Sequence, residues 1–252
     1  MSRAIVTGAS GGLGLEFAKL LAADHYDLVL IARSAEKLIA IAADLQDRHG
    51  VRVEALPLDL SKSGAAAAVL ARVPECDVLI NNAGFGTNAH FDEIPEERIR
   101  EEVMLDVLTL TELTRAYVPQ MRARKAGRIL NVASTAGFLP GPLMAVYYAC
   151  KAYVISFSQA IAEELRGSGV TITCLCPGAT ATDFANRAHS AQTRLFRVQP
   201  VGNAASVALA GYRGMQRGRG VVIPGLWNNL VAFSTKITPR RILVWVSRKT
   251  NE

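Results

Sequence analysis

Cysteine and histidine are scarce in this 252-residue sequence, and no pattern joins them into a site. The four cysteines form no C-x-x-C pair, and the four histidines are scattered along the chain. Cys174 and Cys176 alternate within an apolar run, where a thiol usually behaves as a small buried hydrophobic group. We therefore expect neither a disulfide framework nor a zinc site, and the cysteine usage is typical of a reducing compartment.

The sequence also lacks a long apolar segment. No run reaches the roughly 18 uninterrupted apolar residues that a membrane-spanning helix requires. Met1-Ser2-Arg3 leads directly into Ala4-Ile5-Val6, without the apolar region and cleavage site of a signal peptide. These two absences predict a cytoplasmic protein.

Acidic residues are almost missing from the last quarter of the chain. Eleven of the 28 lysines and arginines lie between Arg187 and Glu252, where Glu252 is the only acid, and the rest of the chain holds 17 basic and 21 acidic residues. This excess of positive charge favours an anionic partner, substrate or membrane surface, or else a solvated basic face. No recognition motif accompanies the charge, so nucleic-acid binding is not expected.

Short apolar runs alternate with helical patterns along most of the chain. The predicted strands are Arg3–Thr7, Asp27–Ala32, Val51–Leu56, Val78–Ile80, Arg128–Ala133, Thr171–Cys176 and Val221–Ile223. Helical patterns, such as Leu13–Ala23, Ala35–Arg48 and Ala204–Gln216, separate them. Strands separated by helices form parallel sheets, with the site beyond the carboxyl ends of the strands. The pattern predicts an α/β fold: a single doubly wound domain over residues 1–252, with seven parallel strands in the order 3-2-1-4-5-6-7.

A glycine-rich turn follows the first predicted strand. It reads Thr7-Gly8-Ala9-Ser10-Gly11-Gly12-Leu13-Gly14 and leads into an amphipathic helix. Glycines let the backbone turn tightly and approach a pyrophosphate, and the helix N-terminus offers free amides to that anion. Placed between a strand and a helix, the turn predicts dinucleotide binding by Gly8, Ser10, Gly12, Leu13 and Gly14.

Four later motifs extend this pattern. Asn81-Asn82-Ala83-Gly84 follows the fourth strand, Ser134 the fifth, and Pro177-Gly178-Ala179-Thr180-Ala181-Thr182 the sixth, while Tyr147 and Lys151 form Y-x-x-x-K. Together with T-G-x-x-x-G-x-G, they make residues 3–184 resemble the short-chain dehydrogenase/reductase family, in its NADP-preferring form. The resemblance implies a Rossmann-type fold and an oxidoreductase that moves a hydride between nicotinamide and a carbonyl or alcohol carbon.

Tyr147 and Lys151 lie four residues apart, on one face of a helix. A phenol normally loses its proton near pH 10, and a nearby ammonium is expected to lower that pKa and make the tyrosine a useful acid or base. Ser134 would hydrogen-bond the substrate oxygen as charge develops. The neighbouring Tyr148 is three residues from Lys151 and about 100° around the helix, so Tyr147 is assigned the proton transfer.

Asp106 departs from the family pattern. The family usually has an asparagine at this position, completing an Asn-Ser-Tyr-Lys tetrad that holds a water in the proton relay. An ionised aspartate accepts hydrogen bonds but cannot donate them. Either the relay tolerates Asp106, or the activity is low or altered. The second alternative leaves open a weakly active NADP(H)-binding regulatory protein.

The end of the second strand predicts the cofactor. NAD-preferring relatives place an acid there, whereas this chain has Ala32 followed by Arg33 and Ser34, whose guanidinium and hydroxyl suit a phosphate. The prediction is NADP(H). The resemblance adds further cofactor positions, which are Asp59, Leu60, Asn81 (also a brace between central strands), Ala83, Gly84, Pro177, Gly178, Thr180 and Thr182, together with Tyr147 and Lys151. The alternative role of Asp59 is a helix cap, although Ser61 already supplies one.

The stretch between Ser134 and Tyr147 is almost wholly apolar. It predicts a small-molecule carbonyl or alcohol substrate with an apolar body, contacted by Phe85, Phe138, Leu143 and Phe184. Some of these side chains could instead pack the core or a subunit contact.

Residues 183–199 correspond to the family's variable substrate lid. A 3-oxoacyl-thioester reductase is the main alternative enzyme, and the family resemblance implies a homodimer or homotetramer.

The tail, residues 226–252, mixes tryptophans and aliphatic residues with lysines and arginines. Such a segment could lie on an anionic membrane, cover an apolar pocket or form a dimer surface. Surface helices often share this composition, so membrane contact is not the favoured interpretation. Docking of an acidic acyl carrier protein is a further hypothesis.

Overall fold

The chain is described by a computed structural model, which covers residues 2–182, 184, 188, 193 and 201–252. Seven parallel strands form one sheet in the order β3-β2-β1-β4-β5-β6-β7, as the sequence predicts. The strands are β1 Arg3–Thr7, β2 Asp27–Ala32, β3 Val53–Pro57, β4 Val78–Asn81, β5 Gly127–Val132, β6 Val170–Leu175 and β7 Val221–Val222.

Helices cover both faces of this sheet. They are α1 Gly12–Ala23, α2 Ala35–His49, α3 Ala65–Arg72, α4 Glu96–Val103, α5 Leu110–Ala123, α6 Ala145–Glu164, α7 Ala204–Gln216, α8 Leu226–Ser234 and α9 Arg240–Asn251. A π-helical segment, Met104–Thr109, joins α4 to α5 without a break. Thr135–Phe138 forms a short 3₁₀ turn after β5.

The strand boundaries predicted from sequence agree with the structure to within two residues. The largest difference is at β3, which begins at Val53 instead of Val51 because its pairing with β2 starts at the Val53–Leu28 register. Apolar periodicity alone does not show at which residue the hydrogen bonding between two strands begins.

The core lies on the two faces of the sheet. Ala4 and Val6 of β1 pack on one side with Phe17 and Leu21 of α1, whereas Ile5 packs on the other side in a cluster with α3 and α5. The near-continuous apolar sequence of β1 follows from this burial on both faces.

The carboxyl ends of β1 and β4 are tied together beneath the crevice of the sheet. The Thr7 hydroxyl oxygen accepts hydrogen bonds from the backbone N–H groups of Asn82 and Ala83, each at 2.9 Å. The Asn82 side-chain amide donates to the Thr7 carbonyl oxygen at 2.9 Å. These bonds hold the glycine-rich turn and the loop after β4 side by side, where the strand order reverses and ligands bind in such sheets.

Among the residues that the structure describes, none of the helices has both the length and the apolar character needed to span a bilayer.

Candidate active site

A cavity of about 1180 Å³ opens above the carboxyl ends of the central strands. It is lined by the glycine-rich turn, the ends of β2, β4 and β5, the first turns of α6 and the helices α8 and α9. Of the residues predicted from sequence, those lining it are Gly8, Ser10, Gly12, Leu13, Arg33, Ser34, Asp59, Leu60, Ala83, Gly84, Phe85, Ser134, Tyr147, Lys151, Pro177, Gly178, Thr180, Thr182 and Phe184.

The glycine-rich turn is shaped to receive an anion. Gly8 has φ +67°, a left-handed backbone conformation that side-chain-bearing residues rarely adopt. Helix α1 begins at Gly12 with no acidic residue in its first turn, so its free N–H groups face the cavity without a competing carboxylate. Gly14 is buried and does not line the cavity; a Cβ there would lie 2.3 Å from the Gly8 carbonyl oxygen, so Gly14 permits close packing of helix and turn.

A second corner of the cavity, at the ends of β2 and β3, is cationic. Arg33 and Lys37 line it together with Ser34, and Lys37 is a cation that the sequence reasoning missed. Asp59 accepts hydrogen bonds from the backbone N–H and the hydroxyl of Ser61, at 3.0 and 2.7 Å. Partial burial opposes ionisation of Asp59, but the Ser61 bonds and the Arg33 charge outweigh it and lower the pKa. The interpretation of Ser61 as a helix cap is wrong, because α3 begins at Ala65 with Gly64 at its N-cap.

Ser134, Tyr147 and Lys151 meet on the opposite side of the cavity. Tyr147 and Lys151 lie on the same face of α6, and the Lys151 Nζ is 5.5 Å from the centre of the Tyr147 ring. Ser134 begins the 3₁₀ turn after β5, where its Oγ accepts from the Ala136 N–H at 3.1 Å. The Tyr147 ring packs against Phe184, with 5.2 Å between ring centres.

Lys151 forms a buried ion pair with Asp106. The Nζ–Oδ1 distance is 2.5 Å, and both side chains are almost inaccessible to solvent. The other Asp106 oxygen accepts from the Phe85 N–H at 3.1 Å. A Cβ at Gly84 would lie 2.5 Å from Asp106 Oδ1, so this position must be glycine for the pair to form. Burial opposes the Lys151 charge, but the Asp106 carboxylate outweighs it and raises the pKa of Lys151.

The Lys151 charge lowers the pKa of Tyr147, as expected, but the expectation that the pKa lies below its ordinary value is wrong. Burial raises the pKa of Tyr147 to about 12, although the Lys151 charge and the Ser134 hydroxyl oppose it. The physical reason is that burial of the phenol disfavours its ionised form by more than the Lys151 charge favours it, and the Asp106 carboxylate adds to the effect of burial. At neutral pH Tyr147 is therefore a proton donor in this structure.

A second buried carboxylate, that of Glu102, lies one helical turn before Asp106. One of its oxygens accepts from the Thr87 hydroxyl at 3.0 Å, while Oε1 is buried without a hydrogen-bond partner. Burial raises the pKa of Glu102 to about 7, and the Asp106 charge adds to this effect. No sequence motif distinguishes Glu102 from the other acids of α4, since its burial depends on packing of α4 against α6.

Besides Gly14 and Asp106, three predicted site residues do not line the cavity. The side chain of Asn81 is buried and donates to Thr114 Oγ1 and Asn131 Oδ1, at 3.2 and 2.9 Å, so it braces the central strands and does not line the cavity. Phe138 packs on the cluster around Val154 and Ile155. Leu143, with φ +68°, is not among the described residues that line the cavity. Met144 and Leu139 supply the apolar wall instead.

The tail supplies the rest of the wall. Leu243 and Thr250 of α9 and Val231 of α8 line the cavity. The Tyr148 hydroxyl donates to Asn251 Oδ1 at 3.1 Å, which fastens the end of α9 to α6. The predicted lid, residues 183–199, lies outside the described residues except for Phe184, Ala188 and Thr193.

Comparison with known proteins gives a consistent set of similarities. The profile of the short chain dehydrogenase family matches residues 2–193. The chain is 34% identical over 180 residues to the very-long-chain 3-oxoacyl-CoA reductase of Pyrenophora tritici-repentis, covering 68% of this chain and 53% of that protein. It is 36% identical over 176 residues to the same-named protein of Laccaria bicolor, covering 67% and 52%. The chain thus spans about half the length of these curated relatives.

Solved structures resemble it over nearly their whole length. A short-chain dehydrogenase from Sphingobium yanoikuyae in complex with NADPH is 33% identical, with a TM-score of 0.84 over 94% of this chain and 95% of that one. The bulky-bulky ketone specific alcohol dehydrogenase from Comamonas testosteroni is 28% identical, with a TM-score of 0.80 over 94% and 93%.

Proposed function

The chain belongs to the short chain dehydrogenase family of oxidoreductases, and we propose that it reduces the carbonyl group of an apolar substrate with NADPH, or oxidises the corresponding alcohol with NADP⁺. The observation that carries this proposal is the convergence of Ser134, Tyr147 and Lys151 on one side of a cavity whose other side is a glycine-rich helix N-terminus.

The preference for NADP(H) rests on the charge at the end of β2. Arg33 and Lys37 line the cavity there, and Ala32 stands where a NAD-preferring enzyme would carry an acid. A guanidinium pairs with phosphate through two hydrogen bonds, and a second cation strengthens the attraction. The similar protein from Sphingobium yanoikuyae is in complex with NADPH, which supports the same choice.

Side chains of the protein carry out the proton transfer. A bound nicotinamide would give or take the hydride at the substrate carbon. Tyr147, protonated at neutral pH, is suited to donate its proton to the carbonyl oxygen as that oxygen gains charge. Ser134 offers a second hydroxyl on the same side of the cavity, and Lys151 holds positive charge beside the phenol.

The apolar wall favours a substrate with a large apolar body. Met144, Leu139 and Phe184 pack in one apolar cluster with Tyr147, and Val231 and Leu243 line the same cavity. Two similar proteins are named very-long-chain 3-oxoacyl-CoA reductases, and the cavity of about 1180 Å³ is larger than the roughly 300–1,000 Å³ of usual ligand pockets. A long-chain 3-oxoacyl thioester is therefore the second candidate substrate beside simple ketones and aldehydes.

A panel of carbonyl compounds tests the proposal. Purified protein is incubated with NADPH or NADH and ketones, aldehydes or 3-oxoacyl thioesters of increasing chain length, and oxidation of the cofactor is followed by absorbance. NADPH-dependent turnover that rises with the apolar length of the substrate is expected. Binding of NADPH with no turnover across the whole panel would favour a regulatory protein instead.

A further inference from the structure

The outer faces of α8 and α9 carry an exposed apolar surface that the proposed chemistry does not use. Leu226, Leu230 and Phe233 follow helical spacing on one face of α8, Ile237 lies in the turn after it, and Trp245 lies on α9. These five side chains, named here the tail surface, are each between 60% and 86% exposed. Four of the five repeat at helical spacing along α8 and the turn after it, and an exposed apolar row of this kind marks an interaction site.

Positive charge accompanies the tail surface. Lys236, Arg240 and Arg241 are exposed between its two halves, and Arg248 and Lys249 follow on α9. The only acid in residues 226–252 is Glu252, whose carboxylate pairs with Arg248 and Lys249. An exposed tryptophan and aliphatic side chains interspersed with lysine and arginine suit the interface of an anionic bilayer.

The tail surface borders the mouth of the cavity. Trp227, Ile242 and Val246 line the cavity and yet are between 44% and 50% exposed, so they lie at its rim. The same two helices therefore line the cavity with one face and present the tail surface with another. With 9 and 12 residues, they are too short to cross the roughly 20-residue span of a bilayer and can only lie on it.

We propose that the tail surface binds an anionic lipid bilayer, with the mouth of the cavity next to the lipid. A second copy of the chain meeting through this surface would bring two basic clusters together, which like-charge repulsion opposes. An acidic carrier protein would match the charges but would leave the apolar side chains without a partner. A lipid surface satisfies both features. Bilayer binding does not depend on the proposed chemistry.

Vesicle binding tests this directly. The whole chain is mixed with vesicles of phosphatidylcholine alone or with about one third phosphatidylserine, and flotation measures the bound fraction. We expect binding to the anionic vesicles that weakens in high salt. Joint replacement of Lys236, Arg240 and Arg241 by Gln should weaken it about 100-fold, since each charge near such a surface contributes about fivefold. Joint replacement of Leu230, Phe233 and Trp245 by Ser should abolish it, with the circular dichroism spectrum unchanged.

Substitutions of the same kind elsewhere on the molecule, two for each set of three, serve as controls. Arg217→Gln with Arg219→Gln removes exposed charges, and Ile39→Ser with Phe91→Ser removes side chains that are about as exposed as those of the tail surface. Both control proteins should bind vesicles like the parent chain. Lack of anionic-vesicle binding at low salt, or equal losses in the control and tail variants, would overturn the proposal. The proposal would also be overturned if the parent chain does not bind vesicles and the serine variant changes from dimer to monomer.

Discussion

At the residue scale, the pairing of Lys151 with Asp106 determines how the site titrates. The Asp106 carboxylate lies where the family resemblance implies an asparagine, and its charge adds to the effect of burial in raising the pKa of Tyr147. Alcohol oxidation requires ionised Tyr147, whereas ketone reduction requires the protonated phenol. The two directions should therefore respond oppositely to a change at Asp106.

Replacing Asp106 by Asn should preserve or raise turnover in alcohol oxidation and shift its acid limb by roughly one unit toward lower pH, because the Lys151 charge then acts on Tyr147 without the opposing charge of Asp106. The measurement is kcat/KM against pH with NADP⁺. Glu97→Gln, an exposed site on α4, should leave the profile unchanged. An unshifted profile with a large loss of turnover would show that the carboxylate itself is required.

Glu102 makes stability depend on pH. Its pKa is about 7 in the folded chain and 4.5 as an ordinary carboxyl, so the folded state holds the extra proton and stability falls as pH rises through that window. Between pH 5 and pH 8, the free energy of unfolding of Glu102→Gln should fall by about 1–3 kcal/mol less than that of the parent chain, measured by urea unfolding. Glu97→Gln is the control. Parallel stability curves for Glu102→Gln and the parent chain would refute the buried, ionisable role of Glu102.

At the scale of elements, the proposed preference for NADP(H) depends on the β2–α2 connection. Arg33→Ala should raise the KM for NADPH about 10- to 100-fold and leave that for NADH nearly unchanged, since only NADPH carries the 2′-phosphate. Arg48→Ala, at the far end of α2 in an exposed pair with Asp44, should affect neither cofactor. Equal effects of Arg33→Ala on NADPH and NADH would contradict the assignment.

At the scale of the whole molecule, the sequence predicted the sheet and the main residues of the site because both depend on local patterns. Buried parallel strands are short apolar runs, and Ser134, Tyr147 and Lys151 belong to motifs at fixed positions after strands. The remaining features depend on distant contacts. The Lys151–Asp106 pair joins residues 45 positions apart in the chain. Phe138 packs against the cluster around Val154 and Ile155 and not in the cavity. Helix α9 reaches the cavity only through tertiary packing, such as the bond between Tyr148 and Asn251.

The central claim is that Tyr147 transfers the proton while the cofactor stays bound beside it. Turnover of the best carbonyl substrate and NADPH affinity, measured together for Tyr147→Phe and Tyr148→Phe, test it most directly. Tyr147→Phe should lower kcat by about 10²- to 10⁴-fold with NADPH affinity nearly unchanged, whereas Tyr148→Phe should remain active. An active Tyr147→Phe protein beside an inactive Tyr148→Phe protein would contradict the account.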